Sequence, residues 1–146
     1  MNRKYIVPQI LLTIAAMEFF GPAIRDTGHS HLLNHDWVGH ARLHLAWLLG
    51  FMVLSGLANL YFIWRNSPDK RKDLYISFLW QGCNLGGFWI ATLAVSSYGG
   101  AIVDPEHHTA IMGVDENVFG FTLLTLIYFA ALAYLRFRID PDTVEG

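Results

Sequence analysis

Four long apolar runs, separated by polar segments, dominate the pattern of this chain. They cover about residues 6–24, 41–64, 74–98 and 117–136. Each run has the length of roughly 20 residues that an α-helix needs to cross the hydrocarbon core of a bilayer. Glu18 is the only acidic or basic residue that lies away from the ends of these runs. We therefore predict an all-α integral membrane protein, a four-helix bundle that forms a single domain over residues 1–146.

Composition agrees with the membrane class. Hydrophobic residues make up 53% of the chain and charged residues 15%, which is more apolar than most soluble domains of this size. The single cysteine, Cys83, excludes an intramolecular disulfide. A formal net charge of −2, without an extended basic cluster, argues against nucleic acid as a partner. The expected partners are the lipid bilayer and a small hydrophobic molecule.

The distribution of Lys and Arg predicts how the protein is oriented. Eight of the ten basic residues precede the first run, follow the second or follow the fourth, whereas Arg25 and Arg42 lie at the opposite ends of the runs. Since basic residues favour cytoplasmic loops, we predict a multi-pass protein with cytoplasmic N- and C-termini. The loops around residues 25–40 and 99–115 are then non-cytoplasmic. Asp73 is the expected N-cap of the third helix.

All seven histidines fall on this non-cytoplasmic side. Imidazole is the commonest metal ligand and titrates near neutral pH. His40 and His44 are four residues apart, so on a helix they share a face and could bind one metal ion. A loop histidine at a membrane surface is more often a solvated polar residue, so interest centres on His44, which we expect below the polar interface. The remaining histidines are His29, His31, His35, His107 and His108.

Polar residues within the apolar runs predict a cavity in the outer half of the bundle. Ionisable groups in a membrane helix are costly and normally face the interior of the bundle. Glu18 should lie at a depth similar to that of His40 and His44, with Asn84 on the third helix. The plainer alternative is that Glu18 pairs with Arg42 or His44 and that the polar side chains hold the helices together. Further polar candidates for the same cavity are Gln81, Glu116, Asn117 and Thr122.

Two short motifs resemble the styrene oxide isomerase family. They are Ala41-Arg42-Leu43-His44 at the start of a membrane helix and Asn84-Leu85-Gly86-Gly87-Phe88 in a later one. The resemblance implies a trimeric homo-oligomer of four-helix subunits, with haem b between subunits acting as a Lewis acid on an epoxide. It implies that His44 is the axial ligand and that Arg42 meets a haem propionate. Gly50 and Phe88 stand where that family has the asparagine and tyrosine that position the substrate.

Two other resemblances concern the architecture. The string Asn34-His35-Asp36-Trp37, followed by His40-Ala41-Arg42-Leu43-His44, is similar to a family of uncharacterised four-helix membrane proteins and implies no chemistry. The four-helix arrangement is also similar to that of the sterol isomerase group, which shifts a double bond with buried carboxylates. By that analogy Glu18, His44 and Asn84 would carry acid–base chemistry.

Three hypotheses follow. The leading one is an intramembrane isomerase or lyase in which His44, with His40, binds haem or another transition metal and Glu18 or Asn84 orients the substrate. The second is a cofactor-free acid–base isomerase that uses Glu18 and His44. The third is a non-enzymatic metal-binding or accessory membrane protein whose outer histidines bind zinc or copper. Its candidate ligands are His29, His31 and His35.

Overall fold

The computed structural model describes residues 3–104 and 109–139, and this part of the chain is mostly helical. The first two helices follow one another so closely that they form one interrupted rod, so the described residues contain four helical rods. The predicted all-α class is confirmed. The helices are α1 (Ile6–Ala15), α2 (Met17–Arg25), α3 (Gly39–Trp64), α4 (Lys70–Leu93) and α5 (Glu116–Tyr134). Two-residue antiparallel strands, Ala110–Ile111 and Val114–Asp115, precede α5.

Three helical segments are long and apolar enough to cross a membrane, namely Arg3–Arg25, Gly39–Trp64 and Glu116–Ile139. The predicted third span, α4, does not reach that level of apolarity. Its first turn consists of charged residues, and Gln81 and Asn84 lie at its middle. A membrane protein is therefore supported by three of the four predicted spans. The sidedness of the loops and termini stays a prediction.

The ends of two helices differ from the sequence prediction. The first helix, expected to run from 6 to 24, is interrupted at Ala16 and then continues through Pro22 to Arg25. The N–H of Phe19 bonds to the carbonyl of Ala16 at 3.1 Å, which tightens this turn. Pro22 has no N–H to donate to the carbonyl of Glu18, and the helix continues past it to Arg25.

The start of α4 also corrects the prediction. The helix begins at Lys70, four residues before the predicted span, and ends at Leu93. Asp69 is its N-cap, since its carboxylate accepts the N–H of Lys72 at 3.1 Å. Asp73, predicted to be the cap, is already inside the first turn and pairs with Arg65.

The core runs along the axis of the bundle, where α1 packs on α5 and α2 packs on α3. We name the end that holds the start of α1 the inner end, and the end that holds the α2–α3 connection the outer end. Many large apolar side chains point outward, as expected for helices that face lipid. The inner core consists of Leu12, Ile63, Leu74, Ala131, Leu135 and Ile139.

Gly82 marks the closest approach of α4 to α5. A Cβ atom at this position would lie 2.4 Å from Oη of Tyr128, whose ring is buried and stacks on Phe78 at 4.1 Å between centroids. We expect Gly82→Ala to lower the free energy of unfolding by about 1–3 kcal/mol, because the new methyl group displaces a packed ring. Gly86, one turn later on α4, has nothing within 4 Å of its Cβ position.

Thermal unfolding in detergent measures this prediction, with Gly86→Ala as the matched control. The control should leave the unfolding midpoint unchanged or higher. Equal midpoints for the two variants would contradict the assigned contact between Gly82 and Tyr128.

Candidate functional site

Glu18 is fully buried in α2, and it is the acidic group at the centre of the candidate site. Neither of its carboxylate oxygens has a hydrogen-bond partner among the described residues. The ion pair with Arg42 or His44 that the plainer hypothesis expected is therefore not formed. Asn84 of α4 and Tyr128 of α5 are the polar side chains close enough to act on the Glu18 carboxyl. The structure thus brings together Glu18 and Asn84, as the sequence predicted.

A cavity of about 500 Å³ occupies the outer half of the bundle. Its volume falls in the range of sites for small organic molecules. Pro22, one turn after Glu18, lines the cavity, and so does Asn84. Glu18 therefore lies behind the inner end of the cavity, with Asn84 next to both. The apolar wall is formed by Leu45, Leu48, Leu49, Met52, Phe88 and Phe121.

The mouth of the cavity carries a second carboxyl and one histidine. Asp26 follows the end of α2, and its Oδ1 lies 3.8 Å from Nδ1 of His31. Burial raises the pKa of Asp26, while the neighbouring His31 and Arg25 act in the opposite direction. Both Asp26 and His31 line the cavity. Sequence reasoning treated His31 as a solvated loop histidine or a zinc or copper ligand, because the fold of the α2–α3 connection could not be read from its composition.

Backbone hydrogen bonds hold this connection in place. The N–H of Leu32 bonds to the carbonyl of Asp26 at 3.0 Å, and the N–H of Leu33 bonds to that of Gly28 at 3.0 Å. At the end of α2, Arg25 reaches the Glu116 carboxylate at 2.8 Å. This exposed ion pair fastens the outer end of α2 to the start of α5.

His40 and His44 form a separate site on the surface of α3. Their Nε2 atoms are 3.0 Å apart, both side chains are exposed, and the ring of His44 lies 6.2 Å from that of Trp47. The cavity faces other positions of α3, including Leu45 and Leu49. The structure therefore does not bring His44 to Glu18. Arg42, the predicted propionate ligand, donates from Nε to the carbonyl of Trp37 at 3.1 Å.

The other histidines do not add to this pair. His29 and His35 are exposed, and His107 and His108 lie outside the described residues. Within residues 3–104 and 109–139, no group of three or more His, Cys, Asp or Glu side chains has the geometry to hold a metal ion. A metal at His40 and His44 would need further ligands from another source.

Gln81 belongs to a polar network below the cavity rather than to its wall. Its Nε2 donates to the carbonyl of Leu12 at 3.1 Å and to Oγ of Ser77 at 3.2 Å. Ser77 in turn donates to Oδ1 of Asn59 at 2.7 Å. Sequence reasoning did not single out Ser77 or Asn59. The sequence signal that could have identified them is a four-residue spacing of polar residues within one helix. Ser77 and Gln81 have this spacing on α4, and Ser55 and Asn59 have it on α3.

Of the other polar residues predicted for the cavity, one lines it and two do not. Asn117 lines it, whereas Glu116 is engaged by Arg25 and Thr122 is exposed, donating to the carbonyl of Val118 at 2.7 Å.

The arrangement as a whole places a buried carboxyl group and an amide next to an apolar cavity. A carboxyl group in apolar surroundings tends to stay protonated and can therefore act as a general acid towards a ligand. The aromatic rings of Phe88 and Phe121 in the wall suit a ligand that becomes positively charged. Comparisons with protein families, with curated proteins and with solved structures find no match for this chain.

Proposed function

We propose that this protein is a membrane-embedded isomerase or lyase that acts on a small hydrophobic molecule and that Glu18 transfers the proton. The observation that carries the proposal is the burial of both Glu18 oxygens, without a hydrogen-bond partner among the described residues, behind a cavity of about 500 Å³. Leaving a buried polar group unsatisfied costs about 1–3 kcal/mol. A cost of this kind is typical of a group kept for chemistry rather than for stability.

The reaction begins with the protonated carboxyl group of Glu18. It donates its proton to an unsaturated carbon of the substrate, and the electron pair of the double bond forms the new C–H bond. The positive charge left on the neighbouring carbon faces the apolar and aromatic wall of the cavity. Loss of a proton from the next carbon forms the shifted double bond, and the released proton returns to the carboxylate. The side chain of Asn84, which lies beside Glu18 and lines the cavity, orients the substrate against the carboxyl group.

Solvent deuterium tests this reaction. The purified protein in lipid nanodiscs, in D₂O, is given an unsaturated sterol, and the products are analysed by mass spectrometry and NMR. Because the Glu18 proton exchanges with solvent between turnovers, each molecule of isomerised sterol should carry solvent deuterium at the carbon that was protonated. Isomerised products without solvent deuterium would contradict proton transfer by Glu18.

A second candidate function rests on the distance between His40 and His44. Their Nε2 atoms are 3.0 Å apart, close to the separation of roughly 3.0–3.4 Å expected for two imidazoles at about 2.0–2.1 Å from one transition-metal ion. Two imidazoles are fewer than a protein metal site uses, so a second copy of the chain would complete the site. Haem held by His44 between subunits is the form that the styrene oxide isomerase resemblance suggests. A metal-binding or accessory protein without enzymatic activity would use the same pair.

Metal content and the visible spectrum test this second function. We expect the purified protein to carry a transition metal, or to show a Soret band, and we expect His44→Ala and His40→Ala each to reduce that content at least tenfold. His35→Ala is the matched control, since His35 is also an exposed histidine of the outer end but lies outside the pair. A wild-type protein without metal and without a Soret band would contradict this function.

A further inference from the structure

The helices α3 and α4 run side by side, and polar contacts join them along the inner half of the seam between them. Arg65, which follows α3, forms an ion pair with Asp73 of α4. Deeper in the bundle, Asn59 accepts hydrogen bonds from Ser77 at 2.7 Å and from Gln81 at 3.4 Å. The side chains of Asn59, Ser77 and Gln81 are fully buried. The inner half of the seam is therefore closed.

The outer half of the seam is built differently. Within the described part of the chain, the side-chain hydrogen bonds between these two helices reach no further along α4 than Gln81. Beyond it, both helices contribute wall residues to the outer cavity, namely Leu45 and Leu48 of α3 and Cys83 and Gly87 of α4. The outer half of the seam is thus a wall of the cavity.

Three residues of this wall are also exposed at the protein surface. Leu48 of α3 is 52% exposed, and Cys83 and Gly87 of α4 are exposed as well. Cys83 and Gly87 are four residues apart, so they lie on the same face of α4. A residue that faces both the cavity and the outside marks a gap in the wall. We call the gap between Leu48 and the Cys83–Gly87 face the side opening.

The surface around the side opening is apolar. Phe51 on α3 and Leu79 and Ile90 on α4, each about one turn from a residue of the opening, are 53%, 69% and 71% exposed. Exposed apolar surface of this extent is typical of contact with a membrane, and α3 is long and apolar enough to cross one. The cavity residues that belong to α3 and α4 carry no charge, whereas Asp26 and His31 lie at the outer mouth.

Gly87 sets the width of the side opening. No atom lies within 4 Å of the position that a Cβ would take at Gly87. A larger side chain would therefore fit without displacing its neighbours, and it would project into the opening. The opening is wide because this position on the cavity wall has no side chain.

We propose that the ligand of the outer cavity is an uncharged hydrophobic molecule that enters and leaves through the side opening, directly from the surrounding lipid. Such a molecule is favoured in the lipid next to the opening and meets no charged side chain of α3 or α4 on its way in. A charged molecule would lose its hydration on the same route at a high cost. The inference rests on the proposed function for the cavity as a substrate site, but it requires no reaction.

The kinetics of ligand exchange test this route. The purified protein in detergent micelles is mixed with tritiated cholesterol, and protein-bound label is counted after gel filtration, first during uptake and then during release into an excess of unlabelled cholesterol. We expect Gly87→Leu to slow uptake and release alike, each at least about tenfold. The dissociation constant should change by less than about threefold, because a narrower opening slows both directions equally.

Gly50→Leu is the matched control. Gly50 is also an exposed glycine in the middle of a helix, with nothing within 4 Å of its Cβ position, but it does not line the cavity. Both rates should stay unchanged in this variant. Asn117→Trp narrows the other entrance, since Asn117 is exposed and lines the cavity with Asp26 and His31. It should also leave both rates unchanged.

Thermal unfolding and gel filtration confirm that each variant folds before the exchange is measured. The route is overturned if the wild type shows no saturable cholesterol binding, if Gly87→Leu exchanges at the wild-type rate, or if Asn117→Trp slows exchange as much as Gly87→Leu does. Failure of the proposed function shows separately. A protein whose exchange is slowed by Gly87→Leu, but whose sterol products carry no solvent deuterium, would keep the entry route and lose proton transfer by Glu18.

Discussion

Glu18→Gln is expected to reduce turnover in the solvent-deuterium assay by at least about 100-fold, because general acid–base catalysis contributes that much or more. Glutamine keeps the shape and the hydrogen-bonding oxygen of the side chain but has no proton to give. The cavity walls are unchanged, so binding of the hydrophobic substrate should survive. The measurement is turnover with the unsaturated sterol, with binding followed by quenching of tryptophan fluorescence.

Replacing Glu18 with an apolar residue should stabilise the protein, which is unusual for a buried position. Because both oxygens of Glu18 are unsatisfied in the described structure, Glu18→Met should raise the free energy of unfolding by about 1–3 kcal/mol. Gln9→Met is the matched control: Gln9 is equally buried, but its Nε2 donates to the carbonyl of Ile63 at 2.7 Å. The control should lose stability. Loss of stability in Glu18→Met with turnover intact in Glu18→Gln would show that Glu18 is a structural residue.

Arg65→Met is expected to cause the largest loss of stability, seen as a lower unfolding midpoint, because it leaves Asp73 without its partner. Nε of Arg65 donates to Oδ2 of Asp73 at 2.8 Å, and a second bond joins Nη2 to Oδ1. The Asp73 side chain is only 2% exposed, so removal of its partner leaves a buried carboxylate. Arg65 keeps 33% of its side chain exposed, so solvent screens part of the interaction.

The double variant Arg65→Met/Asp73→Leu provides the control. Removing both charges leaves no buried carboxylate, so most of the lost stability should return. Unfolding midpoints in detergent, measured for the wild type, both single variants and the double variant, give the coupling energy of the pair. A double variant as unstable as the sum of the single variants would contradict direct coupling.

The cavity lies inside the bundle, whereas the histidine pair lies on its surface. The two candidate functions therefore use different residues. Glu18 and Asn84 belong to the interior between α2 and α4, whereas His40 and His44 project from the surface of α3. A reaction that used Glu18 and His44 together within one chain has no geometric support. The proposed acid–base function would use residues of one chain, whereas the proposed metal function would need a second copy.

The sequence by itself determined the helical class, the approximate positions of the helices and the meeting of Glu18 with Asn84. These features depend on local information. The length of an apolar run predicts a helix whatever its neighbours are, and a carboxyl group far from either end of such a run must face the interior of a bundle. The helix ends were less certain, and the interruption at Ala16 and the cap at Asp69 were found in the structure.

Only the tertiary structure decided which way each helix is turned about its axis. It turned His44 outward, brought His31 to the cavity and placed Gln81 in the polar network with Ser77 and Asn59. The sequence of α3 could not supply this, because apolar residues cover nearly its whole circumference, and a helix without one clear polar face has no preferred rotation. The rotation is fixed by close contacts between distant segments, such as Gly56 against Phe20, which no local pattern records.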